Sequence, residues 1–217
     1  MKKNFRITLF PFIMVLFLSA CDSIPPVPAA GAAPTLLPSQ SLVPSATPRP
    51  TPGEEDLAIT AQQIVFALQA RDLSALATYI HPEKGVRLSP YTYVRAEDLF
   101  FQRDQIGGLF SDNTVYDWGV SDGSGEPIRL TFADYFERFV YPYDYAAGAQ
   151  LSYDQPIGRG NTINNLAEFY PGARVVEFYQ PGTEQYAGMD WSSLRLVFER
   201  APDGWKLIAI VNDMWTI

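Results

Sequence analysis

The sequence predicts an α+β domain in which N-terminal helices pack on one face of a curved, mainly antiparallel sheet. Three observations carry that expectation. Apolar residues recur at helical spacing between residues 54 and 80. Three β-rich runs close the chain, at Arg174 to Gln180, Leu194 to Phe198 and Trp205 to Val211. The last two are joined by Pro202-Asp203-Gly204, a hairpin turn sequence.

The elements follow in order. Thr51-Pro52-Gly53-Glu54 has the spacing of a capping box, with proline at the first helical position. Leu57, Ala61, Ile64, Val65 and Leu68 then mark one helix face. Arg71-Asp72 interrupts the run, and Asp72 is placed to cap a second helix carrying Leu73, Leu76, Ala77 and Ile80. Pro82 forces an exit near His81. A strand is expected within Gly85 to Val94, a short helix within 96–110 ahead of Gly107-Gly108, and a strand over Thr114 to Val120. Ser121-Asp122-Gly123-Ser124-Gly125 reads as a turn, and Thr131 opens a short helix through Val140. Residues 141–172, rich in Tyr, Gly, Asn and Asp, read as a long ordered connection with one helical turn near Ile163 to Phe169.

Two stretches resemble a known fold family. Ala67-Leu68-Gln69-Ala70-Arg71-Asp72-Leu73-Ser74-Ala75-Leu76 looks like the helix–break–helix opening of the NTF2-like, or SnoaL-like, cone fold. Asp203-Gly204-Trp205-Lys206-Leu207, continued by Ile210 and by Asp213-Met214-Trp215, looks like its closing hairpin. The resemblance covers both ends of the domain and implies helices held against a curved sheet. It implies no cofactor and carries over no active-site residue, because the fold serves enzymes and binding modules alike.

Ahead of this domain the chain reads as an export signal. Lys2, Lys3 and Arg6 precede an uncharged run from Ile7 to Ala20, too short to span a bilayer comfortably. The run ends in Leu18-Ser19-Ala20-Cys21, which resembles a bacterial lipobox. That resemblance implies cleavage before Cys21 and attachment of acyl chains to it, so that the chain is held by lipid at the extracytoplasmic face of a cell membrane. Residues 22–53 contain nine prolines and no aromatic residue, the composition of an extended tether. The expected organisation is a signal over 1–20, a lipidated Cys21 and tether over 21–53, and one domain over 54–217.

Composition narrows the partners. Of the 16 basic and 24 acidic residues, four basic and one acidic precede residue 54, which leaves the domain with a net charge of −11. Such a surface disfavours nucleic acid and anionic headgroups. Cys21 is the only cysteine, which excludes an intramolecular disulfide and a cysteine metal cluster.

The candidate chemistry gathers in few places. His81 is the only histidine. It is read either as a cap on the preceding helix or as an acid/base in a pocket. No Gly-x-Ser-x-Gly elbow offers it a nucleophile. Tyr141-Pro142-Tyr143-Asp144-Tyr145 and Gly158-Arg159-Gly160-Asn161 combine aromatic rings with Asp, Arg and Asn, a combination suited to a small polar ligand. The bland alternative has the tyrosines tiling the core and Arg159 paired with Asp144 on a loop. The residue set expected at a ligand is therefore His81, Tyr143, Asp144, Tyr145, Arg159 and Asn161, with no metal site. Asp122 to Glu126 lacks calcium-loop spacing, and Asp117, Asp134, Asp144, Asp154 and Asp213 are too scattered to single out a glycosidase pair. The leading expectation is a membrane-anchored, non-catalytic module that binds a small polar ligand or an envelope protein. The alternative is an envelope-associated hydrolase or lyase using His81 and Asp144.

Overall fold

The computed structural model describes residues 52–216; the expected signal segment, the lipobox with Cys21, the proline-rich stretch and the Thr51 cap lie outside them. Helix α1 spans Pro52–Gln69 and α2 spans Leu73–Tyr79. Asp72 separates them and caps α2, its carboxylate accepting the Ala75 N–H at 2.9 Å, a contact of about 1 kcal/mol. Leu57, Ala61, Ile64, Val65 and Leu68 are fully buried, as the helical spacing requires.

Eight strands follow among the described residues: β1 (Val86–Ser89), β2 (Phe100–Phe101), β3 (Tyr116–Val120), β4 (Pro127–Leu130), β5 (Gln150–Tyr153), β6 (Arg174–Gln180), β7 (Ser192–Ala201) and β8 (Gly204–Met214). Six form a mainly antiparallel curved sheet in the order β2-β1-β8-β7-β6-β5, and β3 with β4 makes a separate hairpin. The β6-β7-β8 meander runs as the sequence predicts, and Ala201 pairs with Gly204 across the Pro202-Asp203 turn. One pairing is parallel, β1 with β8, so the first strand enters the sheet beside the last. The 96–110 region is a two-residue strand followed by a 3₁₀ turn over Ile106–Ser111 that includes both glycines, not a helix ending before them. Strands β4 and β5 arise where the sequence reading expects none; each is four residues long, too short for its alternation (Ile128 and Leu130, Leu151 and Tyr153) to stand out, and each is held by pairing to a neighbour.

Strand parity divides the sheet into two faces. Val86 and Leu88, Val176 and Phe178, Leu194 and Leu196, and Leu207 and Ile210 join the core under the helices. A bulge between Val197 and Phe198 inserts an extra residue in β8. Ile208 and Ala209 therefore both turn to the other face, with Val197 and Val211. Helix α3 (Phe132–Tyr135), the π-helical turn over Phe136–Val140 and the β3–β4 hairpin complete the helix side. Trp118, Tyr135, Phe136, Phe139 and Tyr145 are each no more than 2% exposed there. Trp118 stacks on Tyr135 at 3.6 Å between ring centroids, and its indole N–H donates to the Leu130 carbonyl at 3.0 Å. The interior between helices and sheet is a packed aromatic core.

The opposite face is covered by residues 154–172, which include α4 (Leu166–Phe169). Leu166 packs with Val94, Val197, Ile208, Ala209 and Val211 in a second apolar cluster. Asn165 ties this cover to the 90s segment, accepting from the Val94 N–H at 2.8 Å and donating to the Val94 carbonyl at 2.9 Å. The long connection is thus a second layer.

Candidate functional site

Charged residues set into otherwise apolar strands meet on the covered face. Glu177 of β6 pairs in register with Arg195 of β7, and Ser193 of β7 pairs with Asp213 of β8. All four residues are 2% exposed or less. Arg195 Nη2 lies 3.1 Å from Glu177 Oε1 and 2.7 Å from Asp213 Oδ2. The same guanidinium donates to Thr92 Oγ1 at 2.7 Å and to the Gly158 carbonyl at 2.7 Å. Glu177 accepts from the Ser193 hydroxyl at 2.6 Å and from the backbone N–H groups of Ile157 and Gly158 at 2.5 and 3.2 Å. Buried charge is tolerated when it is paired and its remaining hydrogen-bonding capacity is met, as it is here. Burial pushes the Asp213 carboxyl up to about 6, against the opposing pull of Arg195.

This cluster fastens the covering loop to the sheet, and the loop's glycines follow from the fit. A Cβ on Gly158 would lie 2.4 Å from Ser193 Oγ and 2.6 Å from the Trp191 ring. One on Gly160 would lie 3.0 Å from the Met214 carbonyl oxygen and 3.1 Å from Asp213 Oδ1. Backbone approach this close needs residues without side chains.

Two cavities reach the cluster. One of 620 Å³ is walled by Pro156, Leu166, Ala167, Tyr170 and Val175, with Ser152, Gln155 and Asn164 among its polar groups and Glu177 and Arg195 at its floor. Asp154 and Arg174 also line it and pair at 2.5 Å. Another of 300 Å³ is lined by Gly158, Arg159, Gly160, Asn164, Arg195 and Asp213. A third cleft, of 550 Å³, lies between Tyr91, Tyr93, the 120–125 turn and residues 161–163. A mostly apolar wall with a few fixed polar groups suits a small organic molecule.

The six residues the sequence puts forward do not share a cavity. Arg159 is exposed in the 300 Å³ cavity and makes no ion pair among the described residues. Asn161 lines the 550 Å³ cleft and donates to the Thr216 carbonyl at 2.8 Å. Tyr145 belongs to the aromatic core on the helix side, its hydroxyl 2.7 Å from Ser192 Oγ, and burial raises its pKa. The Tyr143 hydroxyl donates to the Asp190 carbonyl at 3.0 Å. Asp144 Oδ1 accepts from Gln69 Nε2 at 2.8 Å, from the Tyr141 hydroxyl at 3.0 Å and from the Ala146 N–H at 3.1 Å. Its pairing is with α1 and its own loop, not with Arg159. Burial lifts the Tyr141 phenol to about 12, with the Asp144 hydrogen bond adding to the shift.

His81 does not cap α2, whose C-cap is Ile80, and it lines none of the cavities described above. Its Nδ1 accepts from the N–H groups of Glu83 and Lys84, both at 3.2 Å, and its backbone N–H donates to the Leu207 carbonyl at 2.9 Å. The carbonyl at the end of α2, that of Ile80, is taken by the Arg103 guanidinium instead. The seven-residue α2, about 10 Å long, lies between His81 and the Gln69–Asp144 contact. Leu207, where His81 docks, is six strand residues from Asp213, about 20 Å.

Glu177 and Arg195 escape a search for motifs because they form no local motif. Their trace in the sequence is a charge inside an apolar strand, Val176-Glu177-Phe178 and Leu194-Arg195-Leu196. The turn at 121–125 carries no metal cluster: Asp122 accepts from the hydroxyls of Thr162 and Thr216 and is held below its ordinary value by them. No group of acidic or histidine side chains suited to a metal ion occurs among the described residues, and no helix among them is long and apolar enough to cross a membrane.

No protein-family model matches the chain, and no curated protein is significantly similar to it. Solved structures similar to it are NTF2-like and cystatin-like folds. An NTF2-like protein from Novosphingobium aromaticivorans is 10% identical with a TM-score of 0.36, over 75% of this chain and 81% of that one. A domain of unknown function with a cystatin-like fold from Nostoc punctiforme is 11% identical with a TM-score of 0.36, over 78% and 81%. An NTF2-like protein of unknown function from Shewanella oneidensis is 10% identical with a TM-score of 0.31, over 74% and 98%. These are the kind of protein that both ends of the domain resemble. Likeness at this level carries no argument about activity, and the architecture rests on the strand order and register above.

Proposed function

We propose that this chain is a lipoprotein held at the extracytoplasmic face of a membrane through Cys21, whose domain binds a small polar ligand without transforming it. One observation carries the binding reading: the 620 Å³ cavity under the 154–172 cover, floored by the Glu177–Arg195 pair. The floor is already saturated with internal hydrogen bonds, so it fixes the shape of the cavity. Selectivity falls to the walls, where Ser152, Gln155 and Asn164 interrupt an apolar surface. The aromatic interior on the helix side is packed, which favours this face as the place for a ligand. The anchor rests on the sequence pattern that ends at Cys21.

The pairing of His81 with Asp144 as a hydrolase or lyase gains nothing from this arrangement. Each is engaged by local backbone or side-chain groups, and neither lines the cavities described above.

The test is a thermal-shift titration of the full chain with a panel of monosaccharides and free amino acids, in parallel with an Ala167→Trp variant that fills the cavity. At least one compound is expected to raise the unfolding temperature saturably in the parent and not in the variant. A panel that acts equally on both proteins places binding elsewhere. Turnover of an envelope substrate that is lost on Asp144→Asn would replace the binding reading with the enzymatic one.

A further inference from the structure

We propose a second binding site on the covered face: a pocket for the carboxylate of a small organic acid, formed by Arg87 and Tyr170. It adjoins the cavity assigned above and shares Tyr170 with it, but Arg87 lines this one and not the other. Arg87 projects from β1 on the same face as Arg195. It lines a 390 Å³ cavity with Lys84, Phe100, Phe169, Tyr170 and Glu199.

The geometry resembles a half-used fork. Arg87 Nη1 is held by three backbone carbonyls, those of Arg95, Ala96 and Asp98, at 3.3, 2.9 and 2.5 Å. These contacts fix the plane of the guanidinium. No backbone carbonyl or carboxylate among the described residues takes its Nε or Nη2, and the Tyr170 hydroxyl is the neighbour within reach of the guanidinium. The guanidinium carbon lies 5.5 Å from the Phe169 ring centroid and 5.9 Å from that of Phe100, so aromatic surface flanks the cation. A planar, oriented guanidinium with such an edge matches a carboxylate through two parallel hydrogen bonds.

The second observation concerns the neighbouring side chain. The Tyr170 hydroxyl is buried and has no hydrogen-bond partner. Burial dominates and lifts the phenol to about 12, against the Arg87 guanidinium, its nearest polar neighbour, whose charge and hydrogen-bonding reach pull it down. Buried hydroxyls are rarely left in this state. A protonated phenol beside a half-used guanidinium supplies a third donor to the same oxyanion. Glu199 is the one carboxylate lining this cavity, and Lys84 neutralises it through an ion pair. The cavity therefore carries a net positive charge in a domain whose net charge is −11.

The experiment is a calorimetric titration of the full chain with benzoate and, in a separate arm, with inorganic phosphate at matched ionic strength. Saturable one-to-one binding of benzoate is expected. Tyr170→Phe, which removes only the hydroxyl, is expected to weaken it about tenfold without lowering the unfolding temperature. Arg87→Lys keeps the charge but loses the fork, and is expected to abolish binding. Ala167→Trp is expected to leave benzoate binding unchanged, which separates this site from the 620 Å³ cavity. Three results would overturn the assignment: no saturable benzoate binding, tighter binding of phosphate than of benzoate, or benzoate binding that Ala167→Trp removes and Arg87→Lys does not.

Discussion

Arg195 and Glu177 stand opposite each other on β7 and β6, and their side chains, each 2% exposed, meet at 3.1 Å under a loop that both of them hold. The contact joins three layers of the molecule: the strand pair, the Asp213 carboxylate on the next strand, and the backbone of residues 157–158.

Removing one member leaves the other charge buried without its counterion. Arg195→Ala is expected to cost about 3–5 kcal/mol, read from urea unfolding. The double variant Glu177→Gln with Arg195→Met removes both charges of the pair, leaving only the Asp213 carboxyl to take up a proton, and is expected to be less damaging than the two single losses combined. Strict additivity in that cycle would show that the pair does not act as a unit.

Asp213 gives the stability a pH dependence of identifiable sign. Its carboxyl titrates at about 6 in the folded chain, above the value of roughly 3.9 for an unfolded aspartate. Between those values the folded state binds the extra proton. Stability from this group is therefore fully present below about pH 4 and is lost as pH rises through about 6. Asp122, held low by the Thr216 hydroxyl, acts in the opposite direction: its contribution is lost as pH falls. The stability of the parent minus that of Asp213→Asn should fall between pH 4 and pH 6, by at most about 1.4 kcal/mol per pH unit. A difference that rises over this interval would contradict a raised carboxyl.

Gly158→Ala places a methyl group against Ser193 Oγ and the Trp191 ring. The covering loop must then lift from Glu177 and Arg195. A loss of about 1–3 kcal/mol is expected, with new protease cuts inside residues 154–164 before global unfolding. Gly148→Ala meets no side chain, but its φ of +89° makes it a strain control without the clash.

Anchoring is checked by fractionation. The chain with Cys21→Ser is expected to leave the membrane fraction for the soluble one, since the lipobox reading makes that thiol the point of acylation. Continued membrane association of this variant would mean that attachment does not run through Cys21.

The elements legible in the sequence were those with strong local signals. Helix α1 has its apolar face at residues 57–68, α2 has the Asp72 cap, and the closing hairpin has Pro202-Asp203-Gly204; all three form as expected. Strands β4 and β5 were not legible, because four residues of alternation are too few to stand out and both depend on a neighbour. The helix expected within 96–110 gave way to β2 and a 3₁₀ turn, since Phe101 pairs with Val86 and joins the core.

The candidate site shows the same division. Proximity in sequence grouped Tyr143, Asp144, Tyr145, Arg159 and Asn161, but the fold distributes them over both faces of the sheet and its rim. Tyr145 turns inward to Ser192, and Asp144 turns to Gln69. Arg159 lies over Asp213 and Arg195 in the small cavity of the opposite face. The sequence by itself determined the helix pair, the terminal meander and the acidic balance, because periodicity, caps, turn residues and charge act over a few residues. Only the tertiary structure decided which charges are buried together and which face is open. Strand parity, the bulge between Val197 and Phe198, and the parallel entry of β1 beside β8 bring Arg87, Glu177, Arg195 and Asp213 to one face. They lie far apart along the chain, and no local spacing records their meeting.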